Sequence, residues 1–416
     1  MRVFENHKQW KAVKEVADRL SQAGFQVLLA GGCVRDYVMN RPQPSDFDIA
    51  TDAVPDQVHA LFPNALTVGK AFGVTIIPFG DFNLEVATFR EDLEYKDGRR
   101  PEGVRFSTAE ADAKRRDFTA NALFYDLQSD KVIDYVGGVE DIKNRILRTV
   151  GDPDQRFSED KLRILRAVRF AAQLDFELEP ATYAAVKKRA AEVTQVSRER
   201  VRDELQKLLK TPNRIKGLSL LVETGLLKAL FPQLAEKVAE NVDGWLETFK
   251  RSEKYEDPLL FLALFFLPVY ESTPQKDFRE IYLRGLRLDN RETEAISFAV
   301  KNLKIFLNPH AHREGELVLL LAHQAAPTAL ALAKVMGLEG SEGERYLESL
   351  RKDRLGPRGE KPAPFITGAD AQNAGWRPGP EMGTILHEAY LQQLEGKFSN
   401  RSEALNWLQM QAAKRS

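Results

Sequence analysis

Cysteine is almost absent from this sequence: Cys33 is the only one in 416 residues. No intrachain disulfide or cysteine-rich zinc site can form, and a reducing, cytoplasmic setting is expected. A dominant charge is also missing. At a formal net charge of −1, no global field draws the chain to nucleic acid, so any basic surface must come from charge segregated along it. Long apolar runs are lacking too: the most apolar, Leu259 to Tyr270, contains Pro268 and is far shorter than the roughly 20 residues of a membrane-crossing helix. It reads as a buried helix, and no membrane partner is expected. The six histidines never form H-E-x-x-H and none directly precedes an aspartate; His310 and His312, two apart, read as a solvated loop rather than a metal centre. No repeat of fixed period is present, which argues against a solenoid.

What is present is the balance of a globular protein, 43% hydrophobic and 29% charged, with enough chain for roughly two to four domains. The N-terminal stretch mixes Glu5, Glu15 and Asp18 with apolar residues at helical spacing, as a surface helix does and a secretory leader does not. The first third holds short β-rich runs, Phe25 to Ala30, Val74 to Phe79, Leu84 to Phe89 and Lys131 to Tyr135, separated by Gly and Pro signals. A small α/β domain is expected there. From about Asp141 onward, apolar spacings of three and four, as in Glu159 to Gln173 and Ser197 to Lys210, predict an almost wholly helical remainder. Breaks are expected at Thr211 to Asn213, at Tyr270 to Gln275, and through Gly340 to Pro364, which reads as a linker to a mildly basic tail.

The richest stretch is Leu28 to Thr51, LLAGGCVRDYVMNRPQPSDFDIAT. An apolar strand runs into Gly31-Gly32, where backbone N–H groups can approach an anion, and a helix is expected to start just after. Arg35 could bind phosphate there, with Asp36 orienting it or capping the turn. On the next strand, Asp46 and Asp48 are two apart, so both carboxylates share one face while Phe47 and Ile49 take the other. Such a pair suits Mg²⁺ for two-metal phosphoryl transfer. Alone, D-x-D more often marks turn caps or solvated edge charges; G-G-x-V-R-D ten residues earlier is what makes it a site. Glu85, interrupting an apolar strand, is the candidate third carboxylate, or else a charge on an exposed strand face.

Further on, AKRRDFTANALFYD places Arg115, Arg116 and Asp117 before an expected helix with Phe118, Ala122 and Leu123 on its apolar side. Arg116 could hold phosphate while Asp117 and Asn121 hold the sugar; the alternative is a capped basic helix start. In SEDKLRILRAVRF, Ser158 is the expected cap, and Asp160 and Arg163 lie three apart on one helical face. Together they could read the edge of a base, or they form a plain ion pair. Arg166 and Arg169 extend a basic stripe that could follow RNA phosphates.

The set G-G-x-V-R-D, D-x-D, R-R-D-F-T-x-N-A and E-D-x-x-R-x-L-R-A-x-R-F resembles, in order and spacing, the class II tRNA nucleotidyltransferases and the related bacterial poly(A) polymerases. The likeness covers Leu28 to Leu209, including Ser197-Arg198-Glu199-Arg200, which looks like the family's helix-stabilising last motif, and continues more loosely to the end. It implies an α+β polymerase-β-like head at 1–142, followed by an all-α neck (143–211), body (212–345) and tail (346–416), the tail contacting tRNA. Carried over by motif, Asp46 and Asp48 bind the metals and Glu85 completes the carboxylates. Gly31, Gly32 and Arg35 face the triphosphate, Arg116, Asp117 and Asn121 the ribose, and Asp160 and Arg163 the base. The implied substrates are tRNA, CTP and ATP, with Mg²⁺ as cofactor. The segment REDLEYKDGRRPEGVRFSTAEADAK resembles the flexible loop of full CCA-adding enzymes, and the tail resembles that of bacterial ones. CCA addition is therefore expected ahead of poly(A) or A-only addition. Since no histidine directly precedes an aspartate, the His-Asp phosphohydrolase domain of many relatives is not expected.

Overall fold

The computed structural model describes residues 4–41, 44, 46–67, 73–93 and 103–414. The chain forms two units, Met1–Ala239 and Glu240–Ser416. In the first, helix α1 (Trp10–Gln22) precedes strand β1 (Val27–Ala30), helix α2 (Gly32–Val38), strand β2 (Asp48–Thr51) and helix α3 (Pro55–Leu61). Strands β3 (Leu66–Thr67), β4 (Val74–Phe79), β5 (Phe82–Thr88), β6 (Arg90–Asp92) and β7 (Val104–Phe106) follow. Then come helix α4 (Ala109–Lys114), strands β8 (Phe124–Asp126) and β9 (Lys131–Ile133), and helices α5 (Gly138–Lys143), α6 (Pro153–Glu159), α7 (Leu162–Leu174), α8 (Pro180–Arg189) and α9 (Arg198–Lys210).

Seven strands make one sheet in the order β3-β4-β5-β2-β1-β8-β9. Only β2 and β5 run parallel; the other neighbours are antiparallel. Strand β1 is central because all four of its residues, Val-Leu-Leu-Ala, are buried, as a strand covered on both faces requires. One face packs Leu28, Ala30 and Ala50 against Phe89, Phe124 and the α4 residues Ala109 and Ala113. On the other, Phe47 meets Phe4 edge-on at 5.3 Å and Trp10 at 5.7 Å. With Phe47 at 2% exposure and Ile49 at 0%, burial worth about 1.5–3 kcal/mol per side chain holds the register and turns Asp48 to the other face; Asp46, expected on the same strand, lies before β2 begins.

The four predicted strands appear as β1, β4, β5 and β9, with ends shifted by up to two residues except for β4. The helix expected within residues 113–126 does not form. Residues Thr119–Asn121 make one 3₁₀ turn and the chain then enters β8. Its backbone has stronger partners: Tyr125 pairs with Leu29 of β1, Phe118 bridges to Thr149, and the Thr119 N–H donates to the Arg148 carbonyl at 3.0 Å. The helix expected over Glu159 to Gln173 is likewise broken. Helix α6 ends at Glu159 and α7 starts at Leu162, so Ser158 is no cap; its hydroxyl donates to the Gln155 carbonyl at 2.7 Å. The break is made by Asp160, whose carboxylate accepts from the Leu162 N–H at 3.1 Å.

Beyond α9 every element is helical. Pro258–Tyr270 is the expected core helix, with Leu260 through Phe266 buried, and no single helix among the described residues is long and apolar enough to cross a membrane. Gly340 to Pro364 is not the linker expected: Glu342–Arg354 is a helix capped by the Ser341 hydroxyl, and Leu347 and Leu350 anchor it. The expected 345/346 boundary falls within this helix. Residues 366–408 close a small core of their own around Ile366, Ala371, Ala389, Phe398 and Leu408. Of the expected loop, residues 94–102 lie outside the described residues; β6 and β7, which flank them, pair antiparallel.

Candidate active site

An open cleft of about 380 Å³ in the first unit is lined by Gly31, Gly32, Arg35, Asp48, Arg115, Arg116, Asp117, Asn121, Asp160, Arg163, Arg166 and Phe170. Motifs more than 100 residues apart in the chain thus meet in one place. Asp46 and Glu85 stand next to Asp48 rather than in the lining itself.

The floor begins where β1 ends. Gly31 adopts φ +71°, and its N–H donates to the Leu123 carbonyl at 3.0 Å. A Cβ there would come within 3.0 Å of an Arg116 Nη and 3.6 Å of an Asp48 carboxylate oxygen, so both its backbone and its surroundings call for glycine. Gly32 has room: the nearest atom to a Cβ would be an Arg35 Nη at 3.7 Å. Arg35, nearly buried on α2, donates to Asn121 Oδ1 at 2.7 Å and to Asp36 Oδ1, and its guanidinium faces the Phe170 ring at 5.9 Å. Asp36 therefore orients Arg35, one of the two roles expected of it.

Register sets the carboxylates side by side: Ala30 is opposite Asp48 across β1 and β2, and Asp48 is opposite Glu85 across the parallel β2–β5 pair. Burial of its carboxyl, then the charge of Glu85 and, less, of Asp46, push Asp48 up to about 6 against the opposing pull of Arg116. A carboxyl held above its usual range beside two further carboxylates is what a cation would relieve, so these residues fit a divalent ion. Among the described residues, no three His, Cys, Asp or Glu side chains are gathered into a metal cage. Next to them, Cys33 is buried and its thiol is pushed up to about 12 by burial and then by Asp48, which rules it out as a nucleophile.

The basic wall comes from residues 112–117. Asp112, on α4, accepts from Arg115 on one carboxylate oxygen and from Arg116 on the other. Burial opposes its ionisation, but Arg116 and Arg115 outweigh that and hold the carboxyl below its usual range. Arg116 also donates to the Asn121 carbonyl at 3.2 Å. Asp117 accepts from Arg166 at 2.6 and 2.9 Å and from the Phe118 N–H at 2.9 Å. Burial is again opposed and overcome, chiefly by Arg166, so Asp117 stays ionised.

Asp160 and Arg163 are each held by another side chain. Asp160 is held bidentately by Arg200 at 2.7 and 3.1 Å, whereas Arg163 donates to Glu159 at 2.7 Å and to the Arg115 carbonyl at 3.3 Å. Arg169 departs from the expected phosphate-following stripe. At 5% exposure it is bound to Glu204 and Gln173, and its guanidinium lies 3.7 Å from the centroid of Phe170. It belongs to the packing of α7 on α9, where Glu204 holds it, while Arg166 one turn earlier reaches the cleft.

A family described as the poly A polymerase head domain matches residues 27–148, and one described as the probable RNA and SrmB-binding site of polymerase A matches residues 175–238. The CCA-adding enzyme of Levilactobacillus brevis is 32% identical over 413 residues, covering 96% of this chain and 97% of that one. The chain belongs to the CCA-adding enzyme family. Within that family, the Bacillus licheniformis enzyme is 47% identical over 212 residues, an alignment that spans 53% of that relative's length. The Bacillus stearothermophilus CCA-adding enzyme, solved in complex with CTP, superposes with a TM-score of 0.79 at 29% identity over 98% of both chains. A polymerase head carrying a mixed sheet, followed by a largely helical remainder, is therefore this chain's fold as well as its family's.

For this CCA-adding family member, the sequence reading missed Asp112, Arg115, Phe170 and the ties of Arg200 and Glu204. Asp112 had a signal, since it stands three and four residues before Arg115 and Arg116, the helical pairing distance. Arg200 was legible only as part of the Ser197-Arg198-Glu199-Arg200 motif and Glu204 not at all, because their partners Asp160 and Arg169 lie 40 and 35 residues away.

Proposed function

We propose that this chain adds C, C and A to the 3′ end of tRNA without a template, using CTP and ATP and releasing pyrophosphate. The observation that carries the reading is one cleft uniting the Asp48 carboxylate, backed by Glu85, with the Asp160 and Arg163 side chains. The near full-length likeness to a CCA-adding enzyme supports it, as does the CTP bound by the Bacillus stearothermophilus relative.

The reaction is attack of the tRNA 3′-hydroxyl on the α-phosphate, with pyrophosphate leaving. Asp46 and Asp48, completed by Glu85, would hold Mg²⁺, which when bound activates the hydroxyl and neutralises charge on the leaving oxygens. The chain's own contribution is position and fixed charge. Gly31 and Gly32 let backbone come close to the triphosphate, and Arg35 and Arg116 present guanidinium donors to it. Asp117 and Asn121 face the ribose. Arg200 orients the Asp160 carboxylate, which keeps acceptor capacity for a base amino group, while Arg163 offers donors alongside. Residues 1–142 would serve as head, 143–211 as neck, 212–345 as body and 346–416 as the tRNA-contacting tail. A single cysteine supports a cytoplasmic location.

The test is extension of a tRNA lacking its terminal CCA with Mg²⁺, CTP and ATP. Three added residues followed by arrest is the expected result. The matched family's description as a poly A polymerase head favours a second reading, poly(A) or A-only addition. Long A tracts on generic RNA, or extension only of tRNA already ending in CC, would establish that instead. Full activity in an Asp46→Ala/Asp48→Ala double variant would sink the metal assignment.

A further inference from the structure

Asp112 is a fully enclosed carboxylate at 2% exposure, facing two guanidiniums, and it does not line the cleft itself. Its oxygens divide the work. Oδ2 takes Arg116 through Nε at 3.1 Å and Nη2 at 3.0 Å, while Oδ1 takes Arg115 through Nε at 2.9 Å and Nη2 at 2.6 Å. Oδ1 also lies 3.4 Å from the Arg90 N–H of β6, and Arg115 reaches on to the Arg90 carbonyl at 3.1 Å and to Asp92 at 3.7 Å. Oδ1 thus ties the cleft residue Arg115 to β6, and Oδ2 holds Arg116 against the Gly31 turn.

The consequence falls on Arg116. Its Nη1 stands against Gly31 and hydrogen-bonds the Asn121 carbonyl, which places the charge beside the Gly31 turn and near Asp48. A long side chain at a cleft wall has several rotamers to choose from, and a nearby carboxylate such as Asp48 would attract the guanidinium away from a nucleotide. A bidentate hold on Nε and Nη2 leaves Nη1 as the leading edge and removes that freedom before a ligand arrives.

We infer that Asp112 is a positioning residue for nucleotidyl transfer: its Oδ2 fixes Arg116 in the orientation that receives the triphosphate of the incoming nucleotide. The inference rests on the nucleotidyl-transfer reading above and deepens it. Asp112 lies outside the cleft lining and acts through the guanidiniums it holds, the Oδ2–Arg116 arm being the one aimed at the Gly31 turn.

The experiment is a double-mutant cycle on the full chain with Asp112→Asn, Arg116→Ala and the double variant. It measures KM and kcat for CTP on tRNA lacking CCA, the Kd for CTP by calorimetry, and Tm. Asp112→Asn is expected to raise KM and Kd by about tenfold to a hundredfold, the loss that goes with a charge-assisted hydrogen bond, with a smaller change in kcat. In the Arg116→Ala background it should add less than about threefold, because its partner is already gone. Should Asp112→Asn fail to fold, Asp112→Glu, which keeps the charge and displaces it by one methylene, replaces it in the same cycle. Glu110→Gln, on the exposed side of α4, serves as the unaffected control. Independent losses in the two backgrounds, or an unchanged Kd in a folded Asp112→Asn variant, would overturn the inference. A wild-type chain that binds CTP and shows the non-additive loss in Kd, yet extends no tRNA, would overturn the functional reading and leave the positioning of Arg116 standing.

Discussion

At the scale of single residues, Asp48 and Gly31 carry opposite kinds of constraint. The folded Asp48 carboxyl keeps its proton up to about 6, whereas its ordinary value is 3.8, so between those values the folded state binds more protons than the unfolded one. Stability therefore falls as pH rises through that window and stays lower above it. Asp48→Asn should accordingly raise Tm relative to wild type at pH 7.5, with the gap narrowing as the pH is brought down towards 4. A Tm at pH 7.5 equal to or below the wild type's would contradict this. Gly31 is constrained by space and by backbone together. With φ at +71° and a Cβ due 3.0 Å from the Arg116 guanidinium, Gly31→Ala should cost about 1–2 kcal/mol in urea unfolding and weaken CTP binding as Arg116 is displaced. Unfolding indistinguishable from wild type would show that the turn tolerates a side chain.

Between elements, α7 and α9 are joined by buried charge rather than by apolar packing alone. Glu204 on α9 pairs with Arg169 and reaches Arg166 at 3.6 Å, and Arg166 in turn holds Asp117. Removing one member leaves enclosed guanidinium without compensation, so Glu204→Gln should destabilise the chain by about 3–5 kcal/mol. Denaturant midpoints would show it, and a loss below 1 kcal/mol would mean that the pair is solvated. A different element tests the segment read as a linker. Leu347 is buried on helix Glu342–Arg354, so Leu347→Ala should cost about 2–5 kcal/mol, where a true linker would lose almost nothing. The same comparison explains why the segment was misjudged. Its charges and its Gly356-Pro357 pair dominate the composition, but two leucines three residues apart suffice to anchor one helix face.

For the molecule as a whole, two units with separate cores predict departure from two-state unfolding. The calorimetric enthalpy should exceed the van't Hoff enthalpy, and equality of the two would show a single cooperative block. Much of the design was legible before the fold was known. The strand–Gly-Gly–helix turn and the placing of Asp48 on the face opposite Ile49 follow from local rules, glycine's tolerance of positive φ and the two-residue period of a strand, which need no distant partner. Family membership was legible for a related reason: the order and spacing of motifs survive in one dimension.

Tertiary structure decided what depends on partners far away in the chain. Residues 118–126 have helical spacing, yet β1 and Thr149 offered their backbone better hydrogen bonds, so they became a turn and a strand. Asp160 and Arg163 share a helical interval, but Arg200 took the first and Glu159 the second. Arg169 resembles Arg166 in sequence and shares Glu204 with it, yet only Arg166 also holds Asp117 and lines the cleft. The sequence by itself determined which charged groups the protein has and which short turns present them. Which charge meets which, and hence how Asp48, Arg116 and Asp160 come to line one cleft, depended on the packing of sheet against helices, because ion pairs and β-ladders are chosen by proximity in space and not by spacing along the chain.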